Sequence, residues 1–320
     1  MASHWMRRSL LAAACASAAL LAACGSSTVD SAISPQRAVV FGDAVNDVGQ
    51  KGSAYTVNVT DGSRFNWTTQ FASYWSLPVT PASKGGSNYA QGNARISAKP
   101  DAAGEATTPT ITEQVTNFLA ANKTFGAQDI VLINGGISDL IAGMAQVNAG
   151  QLTADAFRAQ ARQWGVDLAT QVRRITEAGG THVVLAGVYD LSRTPWAAAI
   201  GQQALLKDVS RAFNTGLQVS LTDLGNKVQY VDLEYYVNLY TDTPSSFSFD
   251  HATQAVCTSV DAGNGIGTGT GQINSALCTP STVLAGANVD RYVFADNVYL
   301  TPSAHRQFGT YAVDKVRLRW

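Results

Sequence analysis

Short, almost unbroken apolar runs alternate along this chain with longer stretches in which apolar residues return every three or four positions. The runs at 38–41 (AVVF), 129–134 (DIVLIN), 182–188 (HVVLAGV) and 228–233 (VQYVDL) are of the kind buried on both faces of a parallel sheet. A shorter strand near Asn88–Ala90 is expected to complete a set of five. Between them, Phe157, Ala161, Trp164, Leu168, Val172 and Ile175 mark one face of a helix that Thr153 caps and Gly179 ends. Leu206, Val209, Phe213, Leu217, Leu221 and Leu224 mark another. Both stripes are core. Strands alternating with helices in this way predict a doubly wound, three-layer α/β/α sandwich on a five-stranded parallel sheet, with ligands beyond the carboxyl ends of the strands.

The region from Thr243 to Tyr292 interrupts the alternation. It is rich in Gly, Ser and Thr and contains DAGNGIGTGTGQ at 261–272. A phosphate cradle would need a strand before the glycines, a helix after them and a terminal Lys-Ser/Thr, all of which are missing. A flexible loop at the rim, shaping or covering a pocket, fits better. The insertion from Gln50 to Asn66 is read in the same way.

The first residues carry targeting information. Arg7 and Arg8 precede an alanine- and leucine-rich run from Ser9 to Ala23, the length of a signal-peptide core and short for a membrane span. Leu21, Ala22, Ala23 and Cys24 fit the lipoprotein signal pattern, in which Cys24 is acylated and becomes the mature N-terminus; an ordinary signal peptide is the alternative. Initiation at Met6 would serve equally well. Gly25, Ser26 and Ser27 offer no aspartate for inner-membrane retention, so the expected location is the outer membrane of a bacterial envelope, with a secreted or periplasmic form as the alternative. The division expected is a leader at 1–24, a linker at 25–36 and a single domain at 37–320, long enough for a substantial core.

Composition narrows the partners. Charged residues make up 14% of the chain and the formal net charge is −1, leaving no basic stripe for nucleic acid. Past the leader the histidines are His182, His251 and His305, little material for a metal site, and no cofactor or metal is expected. Cys257 and Cys278 remain as a pair in an exported protein. A disulfide closing a loop of about 20 residues is the natural inference, two free thiols the alternative.

Four blocks fall on the strand ends in order: FGDAVNDVG (41–49), GGSNYAQGNARI (85–96), INGGISDL (133–140) and FADNVYLTPSAHRQFG (294–309). Together they resemble the SGNH, or GDSL-type, ester hydrolases, in particular their lipid-anchored or secreted bacterial branch, across roughly residues 37–318. The resemblance implies the flavodoxin-like SGNH fold and an ester or acylated-glycan substrate. It also implies a serine nucleophile, a histidine base, an aspartate orienting that base, and glycine and asparagine donors for the oxyanion. Carried over position by position, Ala44 stands at the nucleophile and Gly92 at the oxyanion glycine. Ser138 stands where the asparagine would be, Asp296 at the triad acid, and Tyr299 at the histidine. Ala44 has no oxygen to attack with, and a tyrosine titrating near ~10 is a poor base at neutral pH. Two readings follow. In one, the chain is a pseudoenzyme that keeps a rim for acyl or acetyl-glycan ligands, with the N–H groups of Ala44 and Gly92 accepting an anion. In the other, it is a working carboxylesterase or acylhydrolase in which His305 replaces the base or Ser138 the nucleophile. Trp67, Trp75 and Trp196 are candidates for stacking on a sugar, although the spacing of Trp67 and Trp75 also suits the core.

Overall fold

The computed structural model describes residues 32–60, 65–122 and 124–320. The leader, Cys24 and most of the linker lie outside the described residues. Four strands run parallel in the order β1 (Arg37–Phe41), β2 (Asp129–Ile133), β3 (Val183–Ala186) and β4 (Val228–Val231). Every residue of β2 and β3 is buried, as the unbroken apolar runs require.

The fifth strand expected at Asn88–Ala90 is reduced to an isolated bridge. Val40 N–H donates to Ser87 O and Tyr89 N–H to Val40 O, placing Asn88 in parallel register beside β1. The bridge does not grow because the Asn88 side chain competes for the backbone: Oδ1 accepts from Ala90 N–H, and Nδ2 donates to Asn46 O. The spatial order is therefore the Asn88 bridge, then β1, β2, β3 and β4, and the winding reverses beside β1.

One helical layer comprises α2 (Ile111–Asn122), α3 (Ile137–Asn148), α4 (Ala154–Glu177) and α6 (Gln203–Val219). The other comprises α1 (Trp67–Ser73), α7 (Leu233–Asp242) and α8 (Pro302–Arg317), and the short α5 (Pro195–Ile200) lies beside α6. Thr153 caps α4 by accepting from Ala156 N–H, as its position before the stripe predicts. Helices α4 and α6 meet backbone to backbone: a Cβ at Gly165 would lie 2.1 Å from Phe213 O, and one at Gly216 2.1 Å from Arg162 O. Leu221 and Leu224 fall past the end of α6, in the turn that leads to β4.

The interrupted region carries more structure than a flexible loop. Within it, β5 (His251–Ala255) pairs in parallel with β6 (Tyr292–Phe294), and Cys257 and Cys278 form a disulfide with Cα atoms 5.9 Å apart. The glycine-rich segment is pinned by Ile266, which is 1% exposed and belongs to the main core.

Candidate functional site

The chain leaves β1 through Gly42, whose N–H donates to Gln114 Oε1 and whose carbonyl accepts from Gln114 Nε2, both at 2.9 Å. A side chain is excluded there, since a Cβ would lie 2.1 Å from Asn134 Oδ1. Asp43 follows, fully buried. Its Oδ1 accepts from Asn134 Nδ2 at 2.9 Å and from Val45 N–H at 3.2 Å, while Oδ2 has no partner. Burial pushes the Asp43 carboxyl above the usual range, and Asn134 with the N–H groups of Val45, Ser138 and Ile137 opposes the rise. The methyl of Ala44 is 1% exposed and packs in the core.

Gly92 is brought to the end of β1, but its N–H is not free for a ligand. It donates to Asp47 Oδ2 at 2.8 Å, while Asp47 Oδ1 accepts from Gly49 and Gln50 N–H at 2.8 Å each. The Tyr55 ring lies over the same glycine so closely that a Cβ at Gly92 would be 1.8 Å from Tyr55 Cε2. The Gly92 N–H, one of the two donors expected to accept an anion, is thus engaged by a carboxylate and overlain by a phenol. Burial holds Asp47 up to about 6, against the pull of the three N–H groups it accepts from and of Lys51.

Ser138 lies in the first turn of α3 with its hydroxyl buried and unpartnered. Asp296 orients no histidine. Its Oδ1 accepts from the N–H groups of Val298 and Tyr299, and its Oδ2 from the N–H and the hydroxyl of Ser275, just ahead of Cys278. The carboxylate at the triad-acid position therefore ties the disulfide loop to the turn before α8. Tyr299 is 1% exposed, its ring edge-on to Tyr55 at 5.6 Å between centroids and its hydroxyl unpartnered. Burial, reinforced by the charge of Asp43, lifts the phenol well above its ordinary range and removes it as a base.

His305 does not replace it. The side chain is buried in the first turn of α8 with Nδ1 unpartnered, and it makes no hydrogen bond to Ala44, Ser138 or Asp296. Burial holds its pKa down to about 3, helped by the charge of Arg306. The tryptophans form no stacking platform at this rim: Trp67 is fully buried with Nε1 donating to Asn46 Oδ1, Trp196 is 4% exposed, and Trp75 packs against Phe71 and Tyr74.

The two insertions are tied to each other and to the turn before α8. Thr56 Oγ1 donates to Leu300 O, Asn58 N–H donates to Cys278 O, and Asn58 Nδ2 reaches Ser275 O and Cys278 O. Asp47, Tyr55 and Ser275 close the site, and reading the sequence did not single them out. Asp47 sits inside the first block, in a slot where chemistry assigns no task, and the other two are ordinary loop residues until the fold joins them.

No protein-family model matches the chain, and no curated protein does. Solved structures resemble it in outline. Est24, a carbohydrate acetylesterase from Sinorhizobium meliloti, is 13% identical over 89% of this chain and 100% of its own, with a TM-score of 0.44. A second solved chain is 12% identical over 88% of this one and 96% of its own, with a TM-score of 0.43. Likenesses this distant say nothing about chemistry, and the site itself carries the functional argument.

Proposed function

We propose that this chain is an exported, envelope-anchored protein on an SGNH-type scaffold whose hydrolytic constellation has been converted into packing, so that it acts without cleaving esters. The observation that carries the reading is the engagement of Gly92 N–H by Asp47 beneath Tyr55. This reading is supported by an alanine at the nucleophile position, a buried tyrosine at the base position and a fully buried Ser138 hydroxyl. The proposed anchor at Cys24 precedes the end of the sheet opposite this rim, where Ala32 N–H donates to Trp320 O. The test is intact-mass analysis after incubation with excess of a fluorophosphonate that labels activated serines. An unchanged mass is expected, and an adduct on Ser138 or Ser275 would overturn the proposal.

A further inference from the structure

Beside the closed rim, a cavity of about 370 Å³ opens between the turn at 100–104, helix α3 and the glycine-rich segment. That volume lies at the lower end of the range of small-molecule sites, roughly 300–1,000 Å³. Arg95 lines it with a side chain only 11% exposed. Its Nε donates to Asp139 Oδ1 at 3.3 Å, and its guanidinium carbon sits 6.0 Å from the Trp164 ring centroid, so the plane of the group is fixed from two sides. Nη1 and Nη2 make no hydrogen bond to any described residue, yet they are not sealed in the core.

The neighbouring carboxylates do not claim them. Asp101 also lines the cavity but spends its oxygens on the N–H groups of Ala103 and Glu105 and on the Thr108 hydroxyl. Asp139 accepts from Arg95 Nε–H and from Ile96 N–H and does not reach the Nη groups, and burial raises its carboxyl above the usual range. The Gln146 side chain lines the cavity without a hydrogen-bond partner among the described residues. Asn264 stands opposite, its Nδ2 donating to Ala103 O.

We propose that this cavity is a binding site for a small hydroxylated carboxylate of the sugar-acid class. A rigid guanidinium with its Nη pair free matches a carboxylate through two parallel N–H···O bonds. The Gln146 amide, which both donates and accepts, suits the hydroxyl groups beside that carboxylate. The site is separate from the closed rim and does not depend on whether the protein hydrolyses esters.

The experiment is an NMR titration of the ¹⁵N-labelled domain with D-glucuronate, with D-glucose and acetate as controls. Glucuronate is expected to give saturable shifts in residues 100–104, 142–146 and 264–269, while glucose leaves them in place and acetate binds more weakly. Arg95→Gln is expected to weaken glucuronate binding by roughly tenfold or more. Because that change also unpairs the buried Asp139, Ala145→Phe is the second variant: it fills the cavity from an exposed helix position and is expected to abolish the same shifts. Equal binding of glucose and glucuronate, no saturable shift with glucuronate, or shifts that survive in the folded Ala145→Phe protein would overturn the proposal.

Discussion

The backbone N–H of Gly92 points at Oδ2 of Asp47, 2.8 Å away, and not into an open pocket. Asp47 also accepts from Gly49 and Gln50, so one carboxylate closes a loop that would otherwise leave three buried or half-buried donors unpaired. Asp47→Ala is expected to cost about 1–3 kcal/mol per donor left without a partner or water, and to lower the urea midpoint with no change in any activity. A midpoint equal to that of the unaltered protein would show that the carboxylate is not a structural tie.

Gly92→Ala is expected to destabilise by a different route. The added methyl overlaps the Tyr55 ring, and overpacking of this kind costs about 1–3 kcal/mol unless the ring moves out. Thermal denaturation of Gly92→Ala beside Gly92→Ala/Tyr55→Ala measures it: the second change is expected to recover part of the loss, because it removes the clash.

Much of the frame was legible because burial on two faces leaves a plain mark. The runs at 38–41, 129–134 and 182–188 are β1, β2 and β3, and Thr153 marks the start of α4. The strand expected at Asn88 is only a bridge, since local hydrogen bonding by its side chain is invisible in an apolar pattern. The site was legible only as a set of positions. Ala44, Ser138 and Tyr299 mark places where the resemblance expects other side chains, but the surroundings of those places depend on Tyr55, Asp47 and Ser275. These residues acquire meaning only through contacts between distant loops, such as Ser275 on Asp296 and Asn58 on Cys278.

The Cys257–Cys278 bridge closes a loop with a sequence separation of 21, worth about 3 kcal/mol by chain entropy. Reduction is expected to lower stability by that amount. It should also raise amide exchange at Ser275, Val298 and Tyr299, which Asp296 holds to the same loop. Exchange confined to the loop itself would mean that Asp296 does not couple the two.

Stability should depend on pH through groups of opposite sign. Asp139, held near 7, and Asp47, near 6, lie above their unfolded values near ~4, so the folded state binds their protons more tightly. Their contribution is best in acid and is lost as pH rises through about 4–7 and about 4–6. His305, held near 3 against ~6.5 when unfolded, acts the other way and costs stability as pH falls through that interval. Urea midpoints from pH 4 to 8 are expected to fall less steeply on the acid side in His305→Gln, and less steeply toward pH 7 in Asp139→Asn. Parallel profiles for all three proteins would contradict these assignments.

Release of p-nitrophenol from short-chain esters decides whether the rim is closed by Asp47 and Tyr55 as well as lacking a nucleophile at residue 44. The measurement compares the unaltered protein with Ala44→Ser/Tyr299→His. Both are expected to stay at the blank rate, because Asp47 still holds Gly92 N–H and Tyr55 still covers it. Turnover by the unaltered protein would contradict the loss of chemistry, and turnover by the double variant alone would contradict the closure.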